Sequence, residues 1–214
     1  MQNVRIVFEK TGQARYMSHL DLVRTMTRAV RRAHIPLWYT EGFNRHPYLT
    51  FAAPLSLGYE GLHETMDLRL EEPMPMDKLV AQLNAVLPTG LRAVEANECV
   101  CKAGDLASAA YTLTFACPAE TLQTLLAQPA ITVEKRTKKG GFKTVDIKEA
   151  VANAAVTPAE DGGCAVAVTL PNGSNNNVNP QLLLTALQQF VGDDTLTMRV
   201  LRRELYAESG VPFR

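Results

Sequence analysis

Apolar residues recur along this chain with two periods, two and about 3.6 residues, and the order in which the periods alternate predicts an α+β protein. Val4, Ile6 and Phe8 alternate with Arg5 and Glu9, the pattern of a half-buried opening strand, and Thr11-Gly12 breaks it. Ser18 followed by Asp21 reads as a capping-box-like start, so a helix is expected from His19 to about His34, ended by Ile35-Pro36. Leu37 to Tyr39 and Leu49 to Ala52 flank a loop from Glu41 to Pro47 that is rich in turn residues. Met66, Leu68 and Leu70 alternate with Asp67, Arg69 and Glu71, and a second helix is expected around Met76 to Leu87. Leu91 to Val94 suits a short closing strand. The order is β-α-β-β-α-β, the split-βαβ or ferredoxin-like plan.

The second half repeats that plan with an insertion. Tyr111, Leu113 and Phe115 form a strand pattern, and Leu122, Leu125 and Leu126 mark a helix. Ile131 to Arg136 and Phe142 to Ile147 read as a hairpin around Lys138-Lys139-Gly140-Gly141. Cys164, Val166, Val168 and Leu170 form a further strand, followed by a loop from Asn172 to Asn179 in which no chemistry is read. Asn179 and Pro180 can start a helix carrying Leu183, Leu184, Leu187 and Phe190, and Leu196, Met198 and Val200 close the sheet. The expectation is two tandem ferredoxin-like halves, residues 1–98 and 109–214. Each has an antiparallel sheet with helices on one face, and the boundary lies near Glu98–Ala109, where Gly104 and small residues cluster.

Composition sharpens this picture only locally. An apolar share of 46% in 214 residues supports a real core. No apolar run approaches the roughly 18 residues of a membrane helix, and the opening MQNVRIVFEK carries charge where a signal peptide would be apolar. Cys99, Cys101, Cys117 and Cys164 then read as reduced thiols of a cytoplasmic protein. Net charge is zero, but residues 1–48 hold eight Lys and Arg against three acids, and residues 135–148 hold six against Asp146. Basic patches survive a neutral total.

On a helical wheel Arg24, Arg28, Arg31 and Arg32 share an arc about 100° wide, while Val23, Met26, Ala29, Val30 and Ala33 share the arc that faces a sheet. Four guanidiniums on one stripe repel one another unless something anionic lies across them, although a solvated face with Asp21 pairing Arg24 or Arg28 explains the stripe alone. The loop from Tyr39 to Tyr48 adds aromatics, Asn44, Arg45 and His46 beside it, and loops on rigid scaffolds are where binding groups usually sit. His19 falls in the first helical turn, where the dipole favours anions, with Lys10, Arg15 and Tyr16 just before it. Local turn formation by Asn44 and His46, and a capped helix with an incidental histidine, are the plainer accounts of each part. Converging, these groups would make one anion-receiving cleft. Lys135, Arg136, Lys138, Lys139 and Lys143 form a second basic patch at the hairpin tip. It suits phosphate contacts, although the lysine protection of an edge hairpin is the plainer account.

The run Lys10-x-Gly12-x-x-Arg15-Tyr16-Met17-Ser18-His19-Leu20-Asp21, then Arg28-Ala29-x-Arg31-Arg32, Glu41-Gly42-Phe43-Asn44-Arg45-His46-Pro47 and Pro54-Leu55-x-Leu57-Gly58 resembles the radical SAM-linked protein family, a bacterial domain of unknown function. The likeness is strong over residues 4–72 and weaker at Lys138, Val145-Asp146 and Arg203-Glu204-Leu205-Tyr206. Thr40 stands where the family tends to have serine, and Arg45 where it tends to have proline, which makes this loop more basic. The resemblance implies a place beside cobalamin-binding radical SAM enzymes.

The chain carries no cluster motif of its own, since Cys99-x-Cys101 lacks a third closely spaced cysteine. It also has no zinc spacing and no glycine-rich phosphate loop, so no metal or cofactor is expected. The expected function is an accessory protein that presents RNA or a ribosome-associated substrate to a radical SAM enzyme. The alternative is a metal-independent RNA-processing or RNA-modifying enzyme, with Tyr16, His19 and His46 as acid and base and Lys10 as phosphate clamp.

Overall fold

The computed structural model describes residues 1–136, 140–174 and 176–214. These residues form a mixed α+β protein with a mostly antiparallel sheet and four α-helices, and the chain divides into two compact units. The first unit is Met1–Leu106 with Arg202–Arg214, and the second is Ala107–Leu201. The chain passes from the first unit to the second between Leu106 and Ala107. The C-terminal residues Arg202–Arg214 return to the first unit.

In the first unit the chain forms β1 (Gln2–Lys10), α1 (His19–Arg32), β2 (Leu49–Phe51), β3 (Glu60–Leu70), α2 (Met76–Asn84) and β4 (Leu91–Glu98). The strands run in the order β4-β1-β3-β2, with antiparallel pairs throughout. Alternation puts Val4, Ile6, Phe8, Met66, Leu68 and Leu70 on the face that meets Leu22, Met26, Ala29 and Val30 of α1 and Leu79 and Leu83 of α2. Each fully buried large side chain there contributes roughly 1.5–3 kcal/mol. Leu22, not Val23, reaches the core; Val23 is only half-buried. The Ser18 hydroxyl accepts the Asp21 N–H at 3.2 Å and donates to the Asp21 carboxylate at 2.6 Å, so the expected N-cap is in place. A 3-10 turn over Gly12–Tyr16 precedes it, tied by Thr11 N–H to Gly90 O at 2.8 Å. Gly90 has φ +89°, and a Cβ there would meet Thr11 O at 2.6 Å, so this approach requires glycine.

The second unit contains β5 (Leu106–Phe115), α3 (Ala119–Leu126), a separate β6–β7 hairpin (Thr132–Arg136 and Phe142–Asp146), β8 (Ala155–Pro158), β9 (Cys164–Pro171) and α4 (Gln181–Val191). β10 (Met198–Ala207) begins here, in the order β10-β5-β9-β8, and its Arg202–Ala207 part belongs to the first unit. Asn179 caps α4 by accepting the Gln181 N–H at 2.9 Å. All four cysteines are free thiols, and no helix among the described residues is long and apolar enough to cross a membrane.

Candidate functional site

All four arginines of the α1 stripe are exposed. Their surroundings divide them. Arg24 Nη1 lies 3.6 Å from Asp21, both well exposed, so this pair is weak. Arg31 Nε donates to the Tyr39 hydroxyl at 3.1 Å, with its guanidinium 5.6 Å from the ring centroid. Arg28 and Arg32 line a groove with Met17, Thr25, Val86 and Pro88. Among the described residues neither makes an ion pair.

The loop between Trp38 and Tyr48 is a small closed structure. Thr40 N–H bonds His46 O at 2.9 Å, Tyr48 N–H bonds Trp38 O at 3.1 Å, and Tyr39 bridges Pro47. His46 N–H donates to Thr40 Oγ1, and His46 Nδ1 lies 3.1 Å from both Thr40 Oγ1 and Asn44 O. A carbonyl can only accept, so in the contact with Asn44 O it is the imidazole Nδ1 that donates. Glu41 to His46 are all exposed, and Phe43 entirely so.

The remaining groups do not join these at one point. His19 is exposed at the start of α1, its ring edge-on to Phe51 with centroids 5.3 Å apart. The 14-residue helix spans roughly 20 Å, and Arg31 beside the loop stands at its other end. Tyr16 is exposed under the Arg15 guanidinium, and Arg15 itself reaches Glu60 at 3.7 Å.

Lys10 requires a correction. It is 1% exposed, and its Nζ donates to Arg15 O at 3.3 Å, so it is an interior cation and not an open phosphate clamp. Burial pushes its pKa below the ordinary lysine value. Glu64 pulls it back up and Arg202 pushes it down. Glu64 and Arg202 are each 3% exposed and form a bidentate pair through Arg202 Nε and Nη2. The expected single cleft is thus a band: arginines along α1, then Tyr39, then the exposed loop tip.

Of the second patch, Lys138 and Lys139 lie outside the described residues. Lys135 is opposite Lys143 and Arg136 opposite Phe142 in the β6–β7 register, and Lys143 and Phe142 are exposed. Among the described residues no group of three or more His, Cys, Asp or Glu could hold a metal ion.

Sequence reading missed one feature. The Arg69 guanidinium lies 4.9 Å from the ring centroids of both Trp38 and Tyr48. Asn3 Oδ1 accepts Arg69 Nε at 2.9 Å. The signal was present in the alternation of β1 and β3, which sends Asn3, Arg5, Asp67 and Arg69 to the face away from the helices. Arg69 is also the lone base among six acids over residues 60–77.

No curated protein matches the chain. Among solved structures, an unknown protein from Galdieria sulphuraria aligns over 94% of this chain and 98% of its own at 12% identity, with a TM-score of 0.30, a likeness too loose to carry an argument. The family model DUF2344, described as an uncharacterized protein conserved in bacteria, matches residues 3–180, and the chain belongs to that family.

Proposed function

We propose that this chain is a non-catalytic accessory protein of the bacterial cytoplasm, and that it holds RNA, or a ribosome-associated substrate containing RNA, for a partner radical SAM enzyme. One observation carries the reading. Arg28, Arg32 and Arg45 are exposed and, among the described residues, have no carboxylate partner; Arg28 and Arg32 lie on α1, and Arg45 lies in the loop that also carries the fully exposed Phe43. Unneutralised guanidiniums on a firmly packed helix suit phosphates, and an exposed ring suits an unstacked base. The strand orders β4-β1-β3-β2 and β10-β5-β9-β8 support reading both halves as ferredoxin-like. The radical SAM partner rests on the resemblance of the Lys10–Arg32 and Glu41–Pro47 motifs.

The acid–base alternative has weaker support. Lys10 is buried, and His19 and the His46 loop stand toward opposite ends of α1. Incubating total RNA with wild type, His19→Ala and His46→Ala separates the readings, and an accessory protein gives identical, cleavage-free profiles.

The direct test is fluorescence anisotropy of labelled single-stranded RNA against salt concentration. Each phosphate contact contributes about 0.7 to the slope of log affinity on log salt, so Arg28→Ala/Arg32→Ala should flatten it by about 1.4. An unchanged slope, together with a pulldown that recovers no RNA and no radical SAM enzyme, would sink the proposal.

A further inference from the structure

On the sheet face opposite the helices, the first unit has a pocket of about 380 Å³, inside the roughly 300–1,000 Å³ typical of small-ligand sites. Tyr48, Asp67, Arg69, Cys99 and Lys102 are among its walls. Three features show that these groups are held in place. Arg5 is fully buried and grips both oxygens of Asp67, Nε at 2.6 Å and Nη2 at 2.8 Å, which fixes the carboxylate at the wall. Arg5 Nη2 also donates to Cys101 O at 2.9 Å, and that bond anchors the segment closing the pocket's far side. Asn3 sets the plane of the Arg69 guanidinium, which Trp38 and Tyr48 flank.

The electrical balance is specific as well. Burial works against the charge of Arg5, but the hydrogen bond and charge of Asp67 outweigh it and hold its pKa above the ordinary value. Arg5 therefore stays charged against Asp67. Burial lifts the Cys99 thiol to about 11, so it lines the pocket as a neutral group. Arg69 and Lys102 remain as net positive charge, with no carboxylate paired to Arg69 among the described residues.

We propose that this pocket receives one unstacked base of a single-stranded RNA. The base stacks on the Tyr48 ring, beside the Arg69 guanidinium. The Asp67 carboxylate, which keeps lone pairs free after bonding Arg5, accepts from the base's exocyclic amine. Lys102 meets the adjoining phosphate. A base edge needs this combination of an aromatic face, a guanidinium plane, an acceptor and a nearby cation, and a duplex cannot present one. The inference rests on the RNA reading above and names the form of RNA. The Trp38–Tyr48 loop links the two surfaces, because Tyr39 touches Arg31 on the helix side while Trp38 and Tyr48 touch Arg69 on the sheet side.

Trp38 is the protein's one tryptophan, so its emission reports on this pocket. Titration of the full chain with single-stranded hexa-adenylate should quench that emission saturably, and a blunt RNA duplex should not. Tyr48→Ala should weaken single-strand binding about tenfold or more, the usual worth of one stacked base. Tyr48→Phe, which keeps the ring, should bind like wild type and guards against misreading a misfolded alanine variant. Hexa-adenylate binding that leaves Trp38 emission unchanged and is indifferent to Tyr48→Ala overturns the pocket while sparing the RNA reading. No RNA binding at all overturns both. Quenching that survives Arg28→Ala/Arg32→Ala while the salt slope flattens supports both as separate contacts.

Discussion

Glu64 shares the interior of the first unit with two cations, Lys10 and Arg202, and supplies the carboxylate of the buried bidentate pair with Arg202. Removing one partner of such a pair leaves an uncompensated buried charge, which costs about 3–5 kcal/mol. Glu64→Gln should therefore lower the unfolding free energy by about that amount in urea titrations. Lys10→Met relieves an excess of positive charge and should cost much less. Because Lys10 is interior, the same Lys10→Met variant should also bind RNA like wild type in anisotropy; a large loss would restore it to the site. Glu204 gives a pH signature. Burial raises its pKa, but hydrogen bonds from Arg214 and the Leu205 N–H, with the charge of Arg214, bring it below the ordinary 4.5. A depressed carboxylate stabilises the fold above its unfolded value and loses that contribution as pH falls from about 4.5 to the lower folded value. Melting temperature measured against pH should thus show a shallower acid limb in Glu204→Gln than in wild type. None of these buried charges is visible locally in sequence. Arg202 and Glu64 are 138 positions apart, so the pairing that makes their burial tolerable belongs to the tertiary structure alone.

At the scale of elements the periodic pattern was informative where one face is apolar and the other polar. The α1 helix, its Ser18 cap and the strands at Val4–Phe8 and Met66–Leu70 were all legible, because each element alone separates core from solvent. Ser18→Ala removes an acceptor from the first turn and should cost about 1 kcal/mol, while Ser18→Asp should retain most of the stability; chemical denaturation checks both. Two strands were less legible. β8, Ala155–Pro158, is four residues long and mostly exposed, so its pairing with β9 leaves no apolar signature. β10 runs to Ala207, past the expected end near Val200, because Arg202 is buried by an ion pair where a hydrophobic residue would have marked the strand. The candidate groups were legible in composition, but their arrangement was not. The sequence supplied the arginine stripe and the exposed loop. The burial of Lys10, the different partners of the stripe's arginines and the Trp38–Arg69–Tyr48 contact all depend on the tertiary structure.

For the whole molecule a net charge of zero conceals a first unit with open arginines on one surface of its layer and an aromatic–guanidinium pocket on the other. The loop between Trp38 and Tyr48 touches both, and under the proposed function RNA would lie along α1, turn over this edge and insert a base on the far face. The β6–β7 hairpin of the second unit is a separate basic element. The most direct check on this account is ultraviolet crosslinking of the intact protein to single-stranded RNA, followed by mass-spectrometric mapping of the RNA-linked peptides. The account expects adducts on the peptides containing Trp38 to Tyr48 and the α1 arginines. Crosslinks absent there, or found only on the hairpin around residues 132–146, would contradict it.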